Sequence, residues 1–304
     1  MAGIEERRSL DVKNISPSRE KLIFAGCARN CAQWLPAVLS NIDRLSISFA
    51  DTAVVIVEND SIDGTPELLR KWGRNRRNFH LLQLDGLGAE PARTVRLEIA
   101  RNAYIAAISG RDHLTKFDYL CVVDFDDVNA RPIDPIGVAE GISRLRSGEA
   151  AGVFANQLGA YYDLWALRHK TFAPGDVWEE VLDYALSRKV SDEVAFAKTL
   201  GRRSFVIPPT APPVEVESAF GGFGIYKLSY VIRNPNPYLG SRVKLLPGGS
   251  PGQIQIARWQ QCEHVHFNAG IGHLGGKLLI IPTMINLDAT GVSFPANGYR
   301  SMLF

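Results

Sequence analysis

The stretch Tyr119-Leu-Cys-Val-Val-Asp-Phe-Asp-Asp127 decides the fold. Its apolar run, Leu120 to Val123, has the composition of a buried strand. The run ends in three carboxylates within four positions: Asp124, Asp126 and Asp127. Carboxylates at the end of a buried strand are costly unless they meet something cationic. Asp124 and Asp126 flank Phe125. Where the chain leaves extended geometry, their two hard oxygen donors can converge on one divalent ion. Mg²⁺ and Mn²⁺ take such ligands, one or two carboxylates completed by phosphate oxygens and water. The spacing suits the diphosphate of a nucleotide that must leave. A solvated acidic turn after a core strand is the plainer reading.

The preceding segments bear on that choice. Lys21 to Gly26 reads as a short buried strand running into Cys27-Ala-Arg-Asn30. A helical pattern follows from Ala32 to Leu45, with Trp34, Leu35, Val38, Leu39 and Ile42 on its apolar side. Thr52 to Val57 is a second strand, ending at Glu58-Asn-Asp-Ser-Ile-Asp-Gly-Thr65. Thr65-Pro66 reads as a capping side chain followed by proline in the first helical turn. Phe79 to Leu84 is a third strand, Val95 to Ile108 a third helix, and the acidic strand comes next. Strand and helix alternate, so the expected fold is α/β, a mostly parallel sheet with helices on both faces. Ligands of such sheets bind outside the carboxyl ends of the strands. The polar clusters Ala28-Arg-Asn30, Glu58-Asn-Asp60 and Asp124-Phe-Asp126 all fall at such ends.

The second half predicts a helix from Ile136 to Arg146, strands at Gly152–Ala155 and Tyr161–Leu167, and helices at Asp176–Arg188 and Asp192–Leu200. Residues 234–252 are rich in Pro and Gly and are expected to form a loop over the site. Lys277 to Pro282 is a closing strand. In Glu217-Ser-Ala-Phe-Gly-Gly-Phe-Gly the glycines allow a close backbone approach or a bend, and no dinucleotide fingerprint is present. The expected organisation is a polar arm over residues 1–20, a nucleotide-binding half over 21–135 and an acceptor-binding half of the same domain over 136–304.

Composition excludes several classes. The 304 residues are 46% hydrophobic and 22% charged, as in a soluble globular protein. A net charge of +2 gives no pull towards nucleic acid. The basic cluster Arg70-Lys-Trp-Gly-Arg-Asn-Arg-Arg77 reads as a solvated helix end, with contact at an anionic membrane surface as the lesser reading. There is no apolar run of membrane-spanning length, and Met1-Ala-Gly-Ile-Glu-Glu-Arg-Arg carries no signal-peptide core. A cytoplasmic protein, with peripheral contact at the inner membrane left open, is the expectation. Cys27, Cys31, Cys121 and Cys262 form no disulfide or metal framework and read as reduced thiols.

Taken together, Ala28-Arg29-Asn30, Glu58-Asn59-Asp60-Ser61-Ile62-Asp63-Gly64-Thr65, Arg96 with Ala100-Arg101-Asn102, and Asp124-Phe125-Asp126 resemble the GT-A-fold glycosyltransferases. Three segments of the second half are similar, more loosely, to the cryptococcal-type, capsule-associated α-1,3-mannosyltransferases. These are Tyr161-Tyr-Asp-Leu-Trp-Ala-Leu-Arg168, Glu217 to Tyr226, and Cys262-Glu-His-Val-His266. The resemblance implies that Ala28, Arg29, Asn30, Glu58 and Asp60 hold the nucleoside and that Arg101 and Asn102 face the donor. It further implies that Asp124 meets the ribose, sugar or metal, that Asp126 binds Mn²⁺ or Mg²⁺, and that a further ligand comes from His264 or His266. In a strand those two histidines would share a face. Glu217, Glu263 and Asp163 are the candidates for acid–base or acceptor-positioning work, and each could instead simply pair with an arginine or sit as a polar exception in a strand.

The resemblance implies sugar transfer from a nucleotide diphosphate donor, a GDP-mannose-like one favoured over a UDP-sugar, to a hydroxyl of a glycan, lipid-linked glycan or protein, with retention favoured. Two alternatives stand beside it. A sugar nucleotidyltransferase would carry a Gly-rich basic phosphate loop after the first strand, and Gly26-Cys-Ala-Arg-Asn30 matches that poorly. A carbohydrate-binding protein on a transferase fold would lack metal-dependent turnover.

Overall fold

A computed structural model describes residues 19–248, 250 and 252–289. Apart from Arg19 and Glu20, the expected polar arm lies outside the described residues. In chain order the elements are β1 (Lys21–Ala28), α1 (Leu35–Ser46), β2 (Asp51–Glu58), α2 (Thr65–Gly73), β3 (Phe79–Gln83), α3 (Arg93–Ser109), β4 (Tyr119–Val123), α4 (Pro135–Ser147), β5 (Gly152–Gly159), α5 (Val177–Arg188), α6 (Asp192–Lys198), β6 (Val214–Val216), β7 (Phe223–Lys227), α7 (Leu228–Arg233), β8 (Ser241–Pro247), β9 (Ile254–Gln260), α8 (Glu263–His273) and β10 (Leu278–Ala289).

Eight strands form one sheet in the order β3-β2-β1-β4-β7-β5-β10-β6. β3, β2, β1 and β4 are mutually parallel, as are β5 and β10. β7 runs antiparallel between β4 and β5, and β6 is antiparallel to β10. The expected mostly parallel sheet is therefore present, and the period-two pleat explains its two cores. Ile23, Ala25, Val55 and Val57 point to one face, where Ala100, Tyr104 and Ile108 of α3 and Phe267 of α8 cover them. Leu22, Phe24, Val54 and Ile56 point to the other, under Leu35, Val38 and Leu39 of α1, Leu69 of α2 and Ile142 of α4. The order reverses between β1 and β4: from β1 the chain goes outward to β2, and it returns to β4 on the opposite side. Such a switch point leaves a crevice at the carboxyl ends of the two strands.

Three local expectations are corrected. Tyr161–Leu167 forms an irregular turn with no strand assigned, and isolated bridges follow it at Arg168–Ser218 and His169–Ala173. Asp163 bends it by accepting from the N–H of Ala166, and Arg168 pairs with Asp176 at 3.1 Å. Within the expected loop 234–252 stands β8, paired antiparallel with β9 from Ser241–Gln260 to Pro247–Ile254. Its alternation of Arg242 and Lys244 with Val243 and Leu245 is a strand signal that the neighbouring Pro and Gly obscured. Thr65 does not cap α2. Its hydroxyl accepts from Cys31 N–H at 2.9 Å and so ties the two turns together. In the basic cluster, Arg76 lies over the Trp72 ring and pairs with Asp43. Among the described residues no helix is long and apolar enough to cross a membrane, and the four cysteines are free thiols.

Candidate active site

A cleft of about 200 Å³ opens at the switch point. Cys27, Ala28 and Arg29 line it from the end of β1, Asn59 from the end of β2, and Asp124, Phe125 and Asp126 from the end of β4. Arg93, Arg96, Leu97 and Ala100 of α3 close the other wall. Three arginines and two aspartates thus share one small space, which suits an anionic group joined to a cation.

The acidic turn is held rigidly. Asp124 N–H donates to the Gly222 carbonyl at 2.9 Å. Asp126 starts a short 3₁₀ turn over Asp127–Asn129, its carboxylate accepting from Val128 N–H. Asn129 is fully buried and donates to the carbonyls of Asp124 (2.9 Å) and Gly222 (2.8 Å). Asn286 of β10 then donates to Asn129 Oδ1 (3.0 Å) and to the Gly221 carbonyl (2.8 Å). Gly221 and Gly222 have φ of +67° and +78°, a region that favours glycine. A Cβ on Gly222 would lie 2.6 Å from Val128 Cγ1. The glycine pair is therefore the buttress of the acidic turn.

Burial, with the charges of Asp124 and Asp127 beside it, pushes the Asp126 carboxyl up to about 7. Two carboxylates crowded enough to hold one near neutrality are a donor set that a divalent cation would stabilise. Among the described residues no three His, Cys, Asp or Glu side chains converge as a protein-only cage. A cation held by Asp124 and Asp126 would complete its shell with substrate oxygens and water, as Mg²⁺ and Mn²⁺ commonly do.

Arg101 is 2% exposed although it lies on a helix. Its Nη2 donates to Asp124 Oδ1 at 3.0 Å and its Nε to Glu263 Oε1 at 2.9 Å. The rings of Phe220 and Tyr238 flank the guanidinium at 5.1 and 5.8 Å. Arg101 therefore stands behind Asp124 rather than in the cleft. Asn102, expected beside it at the donor, is used elsewhere: its amide donates to the Tyr238 carbonyl and accepts from Tyr238 N–H, both at 3.0 Å. Asn102 fastens the 234–240 segment to α3.

The first two turns are joined by their own polar groups. Asn30, in the left-handed region at φ 50°, donates its N–H to Ser61 Oγ and accepts from Ile62 N–H. Glu58 is buried and accepts from Ser61 N–H at 3.0 Å. Asp60 accepts from the N–H groups of Gly86 and Gly88, which lower its pKa. Of the residues expected at the nucleoside, Ala28 and Arg29 line the cleft, whereas Asn30, Glu58 and Asp60 do not and instead bond within the adjoining turns.

The histidine expectation is corrected. His264 and His266 lie on α8, where two residues turn the helix by about 200° and send them to different faces. His266 Nδ1 donates to the Pro237 carbonyl at 2.8 Å. His264 is 1% exposed, stacked on Phe220 at 3.8 Å, and burial followed by the Arg101 charge pushes its pKa well below the usual histidine value. Neither histidine lines the cleft. The acid–base candidates separate too. Glu217 is exposed and lines a different depression with His169, Lys170 and Glu215. Glu263 is committed to Arg101. Asp163 does not line the cleft; its Oδ2 accepts from Gly221 N–H at 2.8 Å and its Oδ1 from Ala166 N–H at 3.3 Å, which ties it to the glycine pair behind the acidic turn. Burial raises its carboxyl to about 6, the N–H groups of Gly221 and Ala166 oppose this, and Asp124 and Glu263 add to it.

The sequence reading missed Asn129, Asn286 and Arg93. Asn129 carried a signal, an amide two residues beyond an acidic turn. Asn286 carried none, since its place comes only from β10 packing beside β5.

No protein-family model matches the chain. A stretch of 76 residues, 25% of the chain, is 37% identical to procollagen galactosyltransferase 1 of Danio rerio and covers 12% of that protein. Among solved structures, the mannosyltransferase PcManGT from Pyrobaculum calidifontis, in complex with GDP-Man and Mn²⁺, gives a TM-score of 0.47 at 14% identity, over 98% of this chain and 65% of that one. S. aureus TarS gives 0.45 at 12% identity, over 86% of this chain and 57% of that one. M. tuberculosis glucosyl-3-phosphoglycerate synthase gives 0.35 at 12% identity, over 69% and 58%. The chain spans less than two thirds of the length of each of these proteins.

Proposed function

We propose that the protein is a metal-dependent glycosyltransferase that moves a sugar from a nucleotide diphosphate donor to an acceptor hydroxyl. The observation that carries this reading is the cleft at the β1–β4 switch point, where Asp124 and Asp126 face Arg29, Arg93 and Arg96. Paired carboxylates and arginines in one space match a diphosphate bound with a divalent cation. The short match to a galactosyltransferase agrees with it.

In this reading Ala28, Arg29 and Asn59 border the nucleoside, and Asp124 and Asp126 would hold Mn²⁺ or Mg²⁺. That cation, when bound, neutralises charge on the departing diphosphate. Arg93 and Arg96 add fixed positive charge to the same group. Asp163 serves the acceptor. It would take the hydroxyl proton in an inverting transfer, or orient the hydroxyl in a retaining one, which the loose sequence resemblance of three second-half segments to mannosyltransferases favours. A GDP-mannose-like donor comes first on that likeness and a UDP-sugar second. Acceptors remain a glycan, a lipid-linked glycan or a protein.

The test is thermal stabilisation by GDP, UDP and CMP and their sugars, with and without Mn²⁺, on the wild type and Asp126→Ala. A ligand that binds only the native state raises the midpoint. One nucleotide should do so in a Mn²⁺-dependent way, and the variant should lose the effect. Stabilisation that ignores the metal and survives the substitution would point instead to a binding protein, and no stabilisation by any nucleotide would remove the transferase reading.

A further inference from the structure

Glu263 was a candidate base, yet it is nearly as buried as Arg101, and the two are joined at 2.9 Å. Arg101 in turn holds Asp124 at 3.0 Å. A lone guanidinium at that distance, screened from water, would cancel the charge of the carboxylate it touches. Asp124 and Asp126 would then present one negative charge to a divalent cation instead of two. Glu263 alters this. Asp124, Arg101 and Glu263 together carry a single negative charge, which Asp126 doubles once a cation displaces its proton, with Asp127 beside it; the cleft's Arg29, Arg93 and Arg96 are left to the diphosphate. His264, 3.7 Å from Glu263, is neutral with its pKa held low, and contributes no charge. Glu263 starts α8 three residues after Gln260, whose Oε1 accepts from the Thr94 hydroxyl of α3 at 3.0 Å. The Glu263 carbonyl accepts from Leu239 N–H, in the segment tied to α3 at Tyr238 by Asn102 and at Gly240 by Glu98. Its position is therefore set from the same helix that carries Arg101.

We infer that Glu263 is a positioning residue that acts through Arg101: it leaves the guanidinium able to orient Asp124 without removing the negative charge a divalent cation needs. This rests on the proposed metal-dependent reading. It gives Arg101 and Glu263 a role distinct from donor contact and from proton transfer. It also accounts for a buried ion pair at this place, since such a pair adds little to stability by itself.

The test measures Mn²⁺ affinity calorimetrically and by the paramagnetic signal of free Mn²⁺, with GDP or UDP present at saturation and no acceptor. Wild type and Asp126→Asn come first, because loss of binding in the latter secures the metal reading independently. Glu263→Gln keeps the shape and an acceptor for Arg101 but drops the charge, and should weaken Mn²⁺ about tenfold, within the range usual for groups behind a metal ligand. The double variant Arg101→Gln/Glu263→Gln restores the charge total and should bind Mn²⁺ within about threefold of wild type. If Glu263→Gln is only partly folded, all variants are read in the same sucrose concentration, which favours the compact state. A structural role alone would lower the melting midpoint of Glu263→Gln and leave its Mn²⁺ affinity unchanged. That result, or a double variant as weak as the single one, would overturn the inference. If the wild type binds no Mn²⁺ even with the nucleoside diphosphate present, the metal reading is overturned, and this inference with it.

Discussion

Asp126 is where the site's acid–base behaviour concentrates. Its carboxyl is raised to about 7 by burial and by Asp124 and Asp127. An unfolded aspartate titrates near 4, so between about 4 and 7 the native state holds a proton that the unfolded state has lost. The contribution of this group to stability therefore falls as pH rises through that window. Asp163, raised to about 6, acts in the same direction over a narrower range. A cation bound by deprotonated carboxylates reverses the effect. Melting midpoints at pH 5.5 and 8 should show a larger Mn²⁺ stabilisation at pH 8 in the wild type and no such difference in Asp126→Asn. Asp163→Asn should keep metal-dependent nucleotide binding and lower transfer by about 10²–10⁴-fold if the group moves the acceptor's proton. Parallel nucleotide-binding and transfer assays check this. Weakened nucleotide binding instead would assign Asp163 to the donor side.

At the scale of elements, the acidic turn depends on a second turn that lies about a hundred residues away in sequence. Gly222→Ala combines a positive φ with a Cβ 2.6 Å from Val128. It should cost about 1–3 kcal/mol in chemical denaturation and displace the Asp124–Asp126 turn. Asn286→Ala strips a donor from two buried acceptors, Gly221 O and Asn129 Oδ1, and should cost about 1–3 kcal/mol. The strands and helices of the first half were legible because their apolar periods are regular, and the Asp-x-Asp end could be placed from a five-residue run. The histidines were not legible. Cys262-Glu-His-Val-His266 alternates like a strand, but it starts a helix whose buried face includes His264, Phe267 and Ile271. Arg101 was misplaced for a related reason: it was expected to face the donor, and only the carboxylates of Asp124 and Glu263, 23 and 162 residues away, bury it behind the site instead. The turn at Tyr161–Leu167 shows the converse, an aromatic run with strand composition that Asp163 folds back on itself.

For the whole molecule, β7 lies between β4 and β5, so a strand from the second half completes the sheet of the first. The proposed nucleotide-side and acceptor-side residues would thus hang on one hydrogen-bonded framework. Trp34 and Trp72 report on one half, Trp165, Trp178 and Trp259 on the other. Urea unfolding followed in variants that keep only one of these groups should give coincident transitions, and separated midpoints would mean that the halves unfold independently. At the switch point between β1 and β4, residues of β1, β2, β4 and α3 all bring polar groups to a common cleft. The most direct test of the central claim is a crystal structure with Mn²⁺ and the nucleotide diphosphate that stabilises the protein, read by anomalous scattering. The account predicts a manganese peak bound by Asp126 and Asp124, with diphosphate oxygens completing its shell and Arg93 or Arg96 beside them. A nucleotide bound outside this cleft, or a manganese away from both aspartates, would contradict it.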